Sequence, residues 1–189
     1  MARPLSSEKR LAILQAAVAV VAEAGTAAPT QQVAKRAGVA EGTVFTYFST
    51  KDALLNEAFI HLEEQLAAAV NEGFPWGADA QAQVHHVWDA LFRWGRSNRS
   101  AYRALRQLKV SERIDSQTKV KCGLFFDRAL RSLSQALSDK VNADALPFFL
   151  NHALLGLVDT ALDASEATPD QAPVVSATAR KLFWNGMIN

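Results

Sequence analysis

The stretch Thr30 to Tyr47, TQQVAKRAGVAEGTVFTY, constrains the fold more than any other part of the chain. Two short helices that cross steeply need a tight turn between them. Such a turn requires a small residue on the first helix where the second crosses it, which Ala34 supplies. Four positions later it requires a residue that tolerates positive φ, which Gly38 supplies. Branched apolar side chains must then seal the junction, and Val33, Val39 and Val44 are placed to do so. The spacing of Ala34, Gly38 and Val44 is that of a helix-turn-helix unit.

The rest of the chain has helical, not alternating, apolar period. Leu11, Leu14, Val18 and Val21 define a first helix over about 7–24, which Gly25 should end in a left-handed conformation. Short helices follow at 30–37 and 41–47. A long helix over 51–72 puts Leu54, Leu55, Ala58, Leu62, Leu66 and Val70 on its inner side. After a connection marked by Gly73, Pro75 and Gly77, helices are predicted at 80–96, 99–110, 112–139, 144–165 and 171–187. Pro147 suits the first turn of its helix and Pro169 the final turn region. The fold class is all-α, with about nine helices. A three-helix helix-turn-helix domain (1–52) is joined by the long helix to a C-terminal helical domain (53–189).

Composition narrows the class of function. Twenty basic residues face 19 acidic ones, so the chain does not coat nucleic acid over its whole surface. Residues 1–52 hold six basic side chains (Arg3, Lys9, Arg10, Lys35, Arg36, Lys51) and four acids (Glu8, Glu23, Glu41, Asp52). A mildly basic module on a neutral body suits a local phosphate contact. The single cysteine, Cys122, excludes an internal disulfide framework and a cysteine-rich metal site. Early charges at Glu8, Lys9 and Arg10 differ from a signal peptide, and the most apolar run, 145–164, is broken by Asn151, His152, Asp159 and Asp163. The expectation is a cytoplasmic protein with no membrane partner.

The turn region also suggests contacts. Thr30 is suited to cap the first short helix. If the second short helix enters a major groove, it exposes Glu41, Gly42, Thr43 and Thr46, while Lys51 opens the next helix within reach of a backbone phosphate. The run from Arg10 to Leu55, above all AGVAEGTVFTYFSTKDALL, resembles the tetracycline-repressor (TetR) family of transcription regulators. The resemblance implies phosphate contacts from Thr30, Tyr47 and Lys51, and base contacts from Gln31, Glu41, Gly42, Thr43, Phe45 and Thr46. Three positions depart from the family pattern. Ala40 stands where a capping residue is usual, Phe45 where Tyr is usual, and Tyr47 where His is common.

The larger C-terminal part offers two further surfaces. Helices with Phe149, Leu150, Ala153 and Leu157, and with Leu182 and Phe183, are candidates for pairing two copies, Gly156 allowing close approach. The resemblance implies a homodimer made by the last two helices; plain monomer core is the alternative. Phe59, His85, Trp88, Phe92, Tyr102, Cys122, Phe125 and Phe126 are candidates for an apolar effector pocket, with ordinary core packing again the alternative. Arg96, Arg99, Arg103 and Arg106 share one helical face, read as a solvated, salt-bridged surface or an anion-attracting one. His85 and His86 point in different directions on a helix and make a poor metal pair.

The expected function is sequence-specific binding of double-stranded operator DNA by a homodimeric repressor that a small-molecule effector releases. No cofactor and no metal are expected. No Gly-rich phosphate loop, metal-ligand cluster or nucleophile motif is present in the sequence, so an enzyme is not expected. The alternative is a helical adaptor or enzyme whose helix-turn-helix does not bind DNA.

Overall fold

Local signals start and stop the first helix and close the second. The structure is a computed structural model and describes residues 5–188; Arg3, counted above, lies outside them. Helix α1 (Ser7–Ala24) opens at Ser6, whose hydroxyl accepts the Lys9 N–H at 3.2 Å. It closes at Gly25 with φ 81° and ψ 176°. This is an extended positive-φ conformation that essentially only glycine adopts, rather than the left-handed helical one expected. Helices α2 (Thr30–Ala37) and α3 (Glu41–Tyr47) follow, and Gly38 between them is left-handed at φ 66°, ψ 33°. Its N–H returns to the carbonyls of Ala34 and Lys35, closing α2.

The later helices are α4 (Lys51–Asn71), α5 (Ala80–Ser97), α6 (Arg99–Lys109), α7 (Ser116–Leu124) and α8 (Asp127–Leu137). Then come α9 (Leu146–Phe148), a π-turn (Phe149–Ala153) and α10 (Leu154–Ala167), which form one uninterrupted helical run, and finally α11 (Ala172–Ile188). No strand occurs among the described residues, so the molecule is all-α as predicted. The helix expected over 112–139 is instead two. Asp115 caps α7 by accepting the Thr118 N–H at 2.7 Å, and the chain breaks at Phe125 and Phe126 before α8. Neither break residue is glycine or proline, and the nearby Gly123 lies inside the last turn of α7.

The residues pack into two compact units. The first comprises residues to 65 together with 98–125, so α6 and α7 join the helix-turn-helix. Helix α1 is covered by α2 and by α6. It therefore buries a broad band (Ile13, Leu14, Ala17, Val18, Val20, Val21) rather than a narrow stripe. Leu11, expected on that stripe, is 42% exposed. Asn56, buried on α4, holds the α6–α7 connection: its amide donates to the carbonyls of Asp52 (2.8 Å) and Arg113 (2.9 Å), and its oxygen accepts the Asp115 N–H (3.1 Å).

The second unit comprises residues 66–97 and 126–188. Here α10 and α11 pack along each other, and α5 packs on both and on α8. Trp88 on α5 is fully buried, its indole N–H donating to Ser176 Oγ at 3.0 Å and its ring stacking on Phe183. Gln83, also buried, donates to the Ala78 carbonyl and accepts from Ser132. Arg180 bonds both carboxylate oxygens of Asp89, at 2.6 and 2.8 Å.

Candidate nucleic-acid interface

The interior of the helix-turn-helix is apolar and its outer edge is not. Val33 (5% exposed), Ala34 (3%) and Val44 (1%) seal the crossing of α2 and α3. Burial of one such branched side chain is worth about 1.5–3 kcal/mol, so the crossing is held firmly for its size. Gln31, Glu41, Gly42, Phe45 and Thr46 are exposed on the outer side, and Thr30, Thr43, Tyr47 and Lys51 are half-buried. All nine residues expected to meet DNA thus lie at or near the surface of this one unit. An open hollow of about 560 Å³ along α2 is lined by Gln31, Gln32, Ala34, Lys35, Val39 and Glu41.

Several of these side chains have partners that the sequence did not predict. Thr30 does not cap α2, since Pro29 occupies the cap position and no side chain caps there. The Thr30 hydroxyl instead donates to the Glu41 carboxylate at 2.8 Å, tying the first residue of α2 to the first of α3. Helix α3 starts at Ala40 without a side-chain cap, as the departure at that position implied. Thr46 donates its hydroxyl back to the Gly42 carbonyl at 3.0 Å.

Tyr47 and Lys51 are positioned by the body of the unit. The Tyr47 hydroxyl oxygen accepts the Ser6 N–H at 3.1 Å, which leaves its own proton available for a further acceptor. Lys51 donates to the Ala27 carbonyl at 2.9 Å, using one of its three N–H bonds. Burial, with the Arg113 guanidinium second, pulls its ammonium below the usual lysine pKa, and Asp52 opposes the shift. Arg36 pairs with Glu23 at 2.7 Å, and Arg10 pairs with Glu57 at 2.9 Å while lying over the Phe48 ring. Gln32 and Lys35 were missed by the sequence reading, although Lys35 follows Gln31 by one helical turn.

Residues 13–58 match the family model described as bacterial regulatory proteins, tetR family. They are a TetR-family domain. The fold of the whole chain recurs among TetR-family structures. A chain from Shewanella sp. PV-4 assigned to that family is 22% identical, with 96% of this chain and 98% of that one covered and a TM-score of 0.81. A TetR family transcription regulator from Marinobacter aquaeolei VT8 is 24% identical, with 92% and 94% covered and a TM-score of 0.74. The transcriptional regulator FadR from Bacillus subtilis, solved with stearoyl-CoA, is 19% identical, with 92% and 96% covered and a TM-score of 0.68. The TetR-family match takes in α2, α3 and the start of α4, where the expected DNA contacts lie.

The other expected residues fall as follows. Phe59, Tyr102, Cys122 and Phe125 belong to the first unit, and His85, Trp88, Phe92 and Phe126 to the second. Burial pushes the Cys122 thiol up to about 11, with the Glu63 carboxylate adding to the rise. Burial also lowers the His85 pKa, and Arg180 lowers it further against Asp89 and Asp79. Of the pairing candidates, Leu150 and Phe183 are buried within the second unit, Phe149, Ala153 and Leu157 are half-buried, and Leu182 is 61% exposed. Among the described residues, no group of three His, Cys, Asp or Glu side chains could hold a metal, and no helix is long and apolar enough to cross a membrane.

Proposed function

We propose that the chain is a sequence-specific DNA-binding transcription regulator. It acts as a homodimeric repressor whose grip on operator DNA a small-molecule effector releases. The observation that carries this reading is the TetR-family domain, with its apolar α2–α3 crossing sealed inside and Gln31, Glu41, Gly42, Phe45 and Thr46 exposed outside. Helix α3 enters the major groove, Thr43 facing the bases beside those residues, and Thr30, Tyr47 and Lys51 meet the backbone. Residues 1–52 are then the DNA-contacting head, and 53–189 serve effector binding and pairing.

One head makes few contacts, and a symmetric pair places two heads in successive grooves roughly 34–36 Å apart. Support for pairing comes from α9 to α11, which leave Phe148 (59%), Val174 (67%) and Leu182 (61%) exposed. Support for an effector comes from the stearoyl-CoA held by the FadR relative in fold. An effector that binds one conformation better than the other would shift α4 and the head that α4 continues from; differential affinity is the only way a ligand can do so.

Selection from random duplex DNA tests the reading. Enrichment of a two-fold symmetric sequence is expected, with binding that weakens steeply as salt rises. Equal retention of every sequence would contradict it.

A further inference from the structure

Helix α3, EGTVFTY, contains no arginine, lysine, asparagine or glutamine. Those are the side chains that make two-pronged hydrogen bonds to guanine or adenine edges in the major groove. The hydrogen-bonding groups that α3 does present are partly committed already. The Glu41 carboxylate accepts from Thr30, and the Thr46 hydroxyl donates its one proton back to the Gly42 carbonyl, which leaves the side chain a methyl to offer beside an acceptor oxygen. Between them stands Phe45, a phenyl ring 43% exposed on an otherwise polar or small-residue surface. An apolar side chain has one matching feature on a base edge in this groove, the 5-methyl of thymine.

We infer that α3 reads thymine by its methyl group, with the Phe45 ring and the Thr46 methyl as the contacting surfaces. The inference rests on the DNA-binding reading above and adds the base class that this helix selects. Glu41 acts here as a positioning residue, holding α3 to α2 through Thr30. Gly42, at which an added Cβ would meet nothing within 4 Å, leaves the groove side of α3 open beside Phe45.

The test uses the full-length protein and a duplex enriched from a random pool, made once with thymine and once with deoxyuridine at every thymine. Uracil pairs identically and lacks only the methyl. Wild-type protein should bind the uracil duplex more weakly, roughly fourfold for each methyl contacted. Phe45→Ala should lose the larger part of this preference. Thr46→Ser, which keeps the back-bonded hydroxyl, should shrink the thymine preference by a smaller factor. Equal binding of both duplexes by the wild type, while a scrambled duplex is still rejected, would overturn the inference and leave the DNA reading intact. Failure of any sequence to enrich would overturn both.

Discussion

The α2–α3 crossing and the α10–α11 pair bury apolar residues to very different completeness. In the crossing, Val33, Ala34 and Val44 are all at most 5% exposed, and the outer side is polar or small apart from Phe45. In the pair, Val158, Leu162 and Phe183 are buried, yet Val174 and Leu182 stand more than half exposed, and so does Phe148 on the adjoining α9. The crossing has an apolar interior of the size its own chain can cover. The pair and the adjoining α9 leave large apolar side chains that their unit does not cover. One region is finished as a monomer; the other is finished by a second copy in our reading.

The largest expected effect comes from the buried side of the pair. Trp88→Ala removes a fully buried indole and strands the Ser176 hydroxyl, and should cost about 3–5 kcal/mol in denaturant unfolding. A loss below about 1 kcal/mol would mean that this core tolerates cavities and that the contrast with the crossing is overdrawn.

Next is the turn itself. Gly38→Val places a branched residue at φ 66°, and an added Cβ there meets nothing within 4 Å, so the cost is purely backbone strain. About 2 kcal/mol is expected by thermal unfolding, whereas Gly38→Asn should be nearly silent because asparagine visits this region readily. Equal costs for the two would place the requirement for glycine somewhere other than backbone conformation.

A smaller effect concerns Glu63, buried on α4 at 5% exposure. Burial raises its pKa, and the Lys109 ammonium only partly opposes this. With the folded value above the unfolded one, the folded state holds more protons between the two. Stability therefore falls as pH rises through that window. Glu63→Gln should accordingly stabilise the protein near neutral pH, on the order of 1 kcal/mol, the usual scale of a single-site change. The gain should vanish below the ordinary glutamate pKa. A Tm difference that is flat with pH would contradict it.

The smallest effect on monomer stability should come from Leu182→Glu, within about 0.5 kcal/mol because the side chain is exposed. Its effect on assembly should be large. Light scattering should give the dimer mass for wild type and the monomer mass for the variant. A wild-type protein that is monomeric at micromolar concentration would remove the distinction between the two regions.

How much was legible in the sequence follows the same division. In the head, residue identity is dictated by backbone geometry. The left-handed backbone at Gly38 favours glycine, and the buried crossing favours a small residue at Ala34, so α1, α2 and α3 could be bounded as the structure has them. Where identity reflects burial alone, the sequence misled. The break at Phe125 and Phe126 falls on two aromatic residues while Gly123, two positions earlier, is still helical, and Leu11 reads as core from its spacing yet is exposed. Asn56 and Glu63 look like surface positions of α4 and are buried, since one faces the α6–α7 connection and the other lies near Lys109 and Cys122. At the candidate interface the residues were legible but their bonds were not, because Thr30 with Glu41 and Tyr47 with Ser6 are tertiary pairs.

The central claim is that the outer side of α3 is the surface that binds DNA. Gly42→Asp tests it most directly, since the position is exposed, has room for a Cβ, and lies in the first turn of a helix, where an acid is favourable. Fluorescence anisotropy on a selected duplex should show affinity falling by roughly 100-fold or more, on the scale of two lost base contacts, while the melting temperature stays unchanged or rises. Undiminished binding by this folded variant would contradict the account.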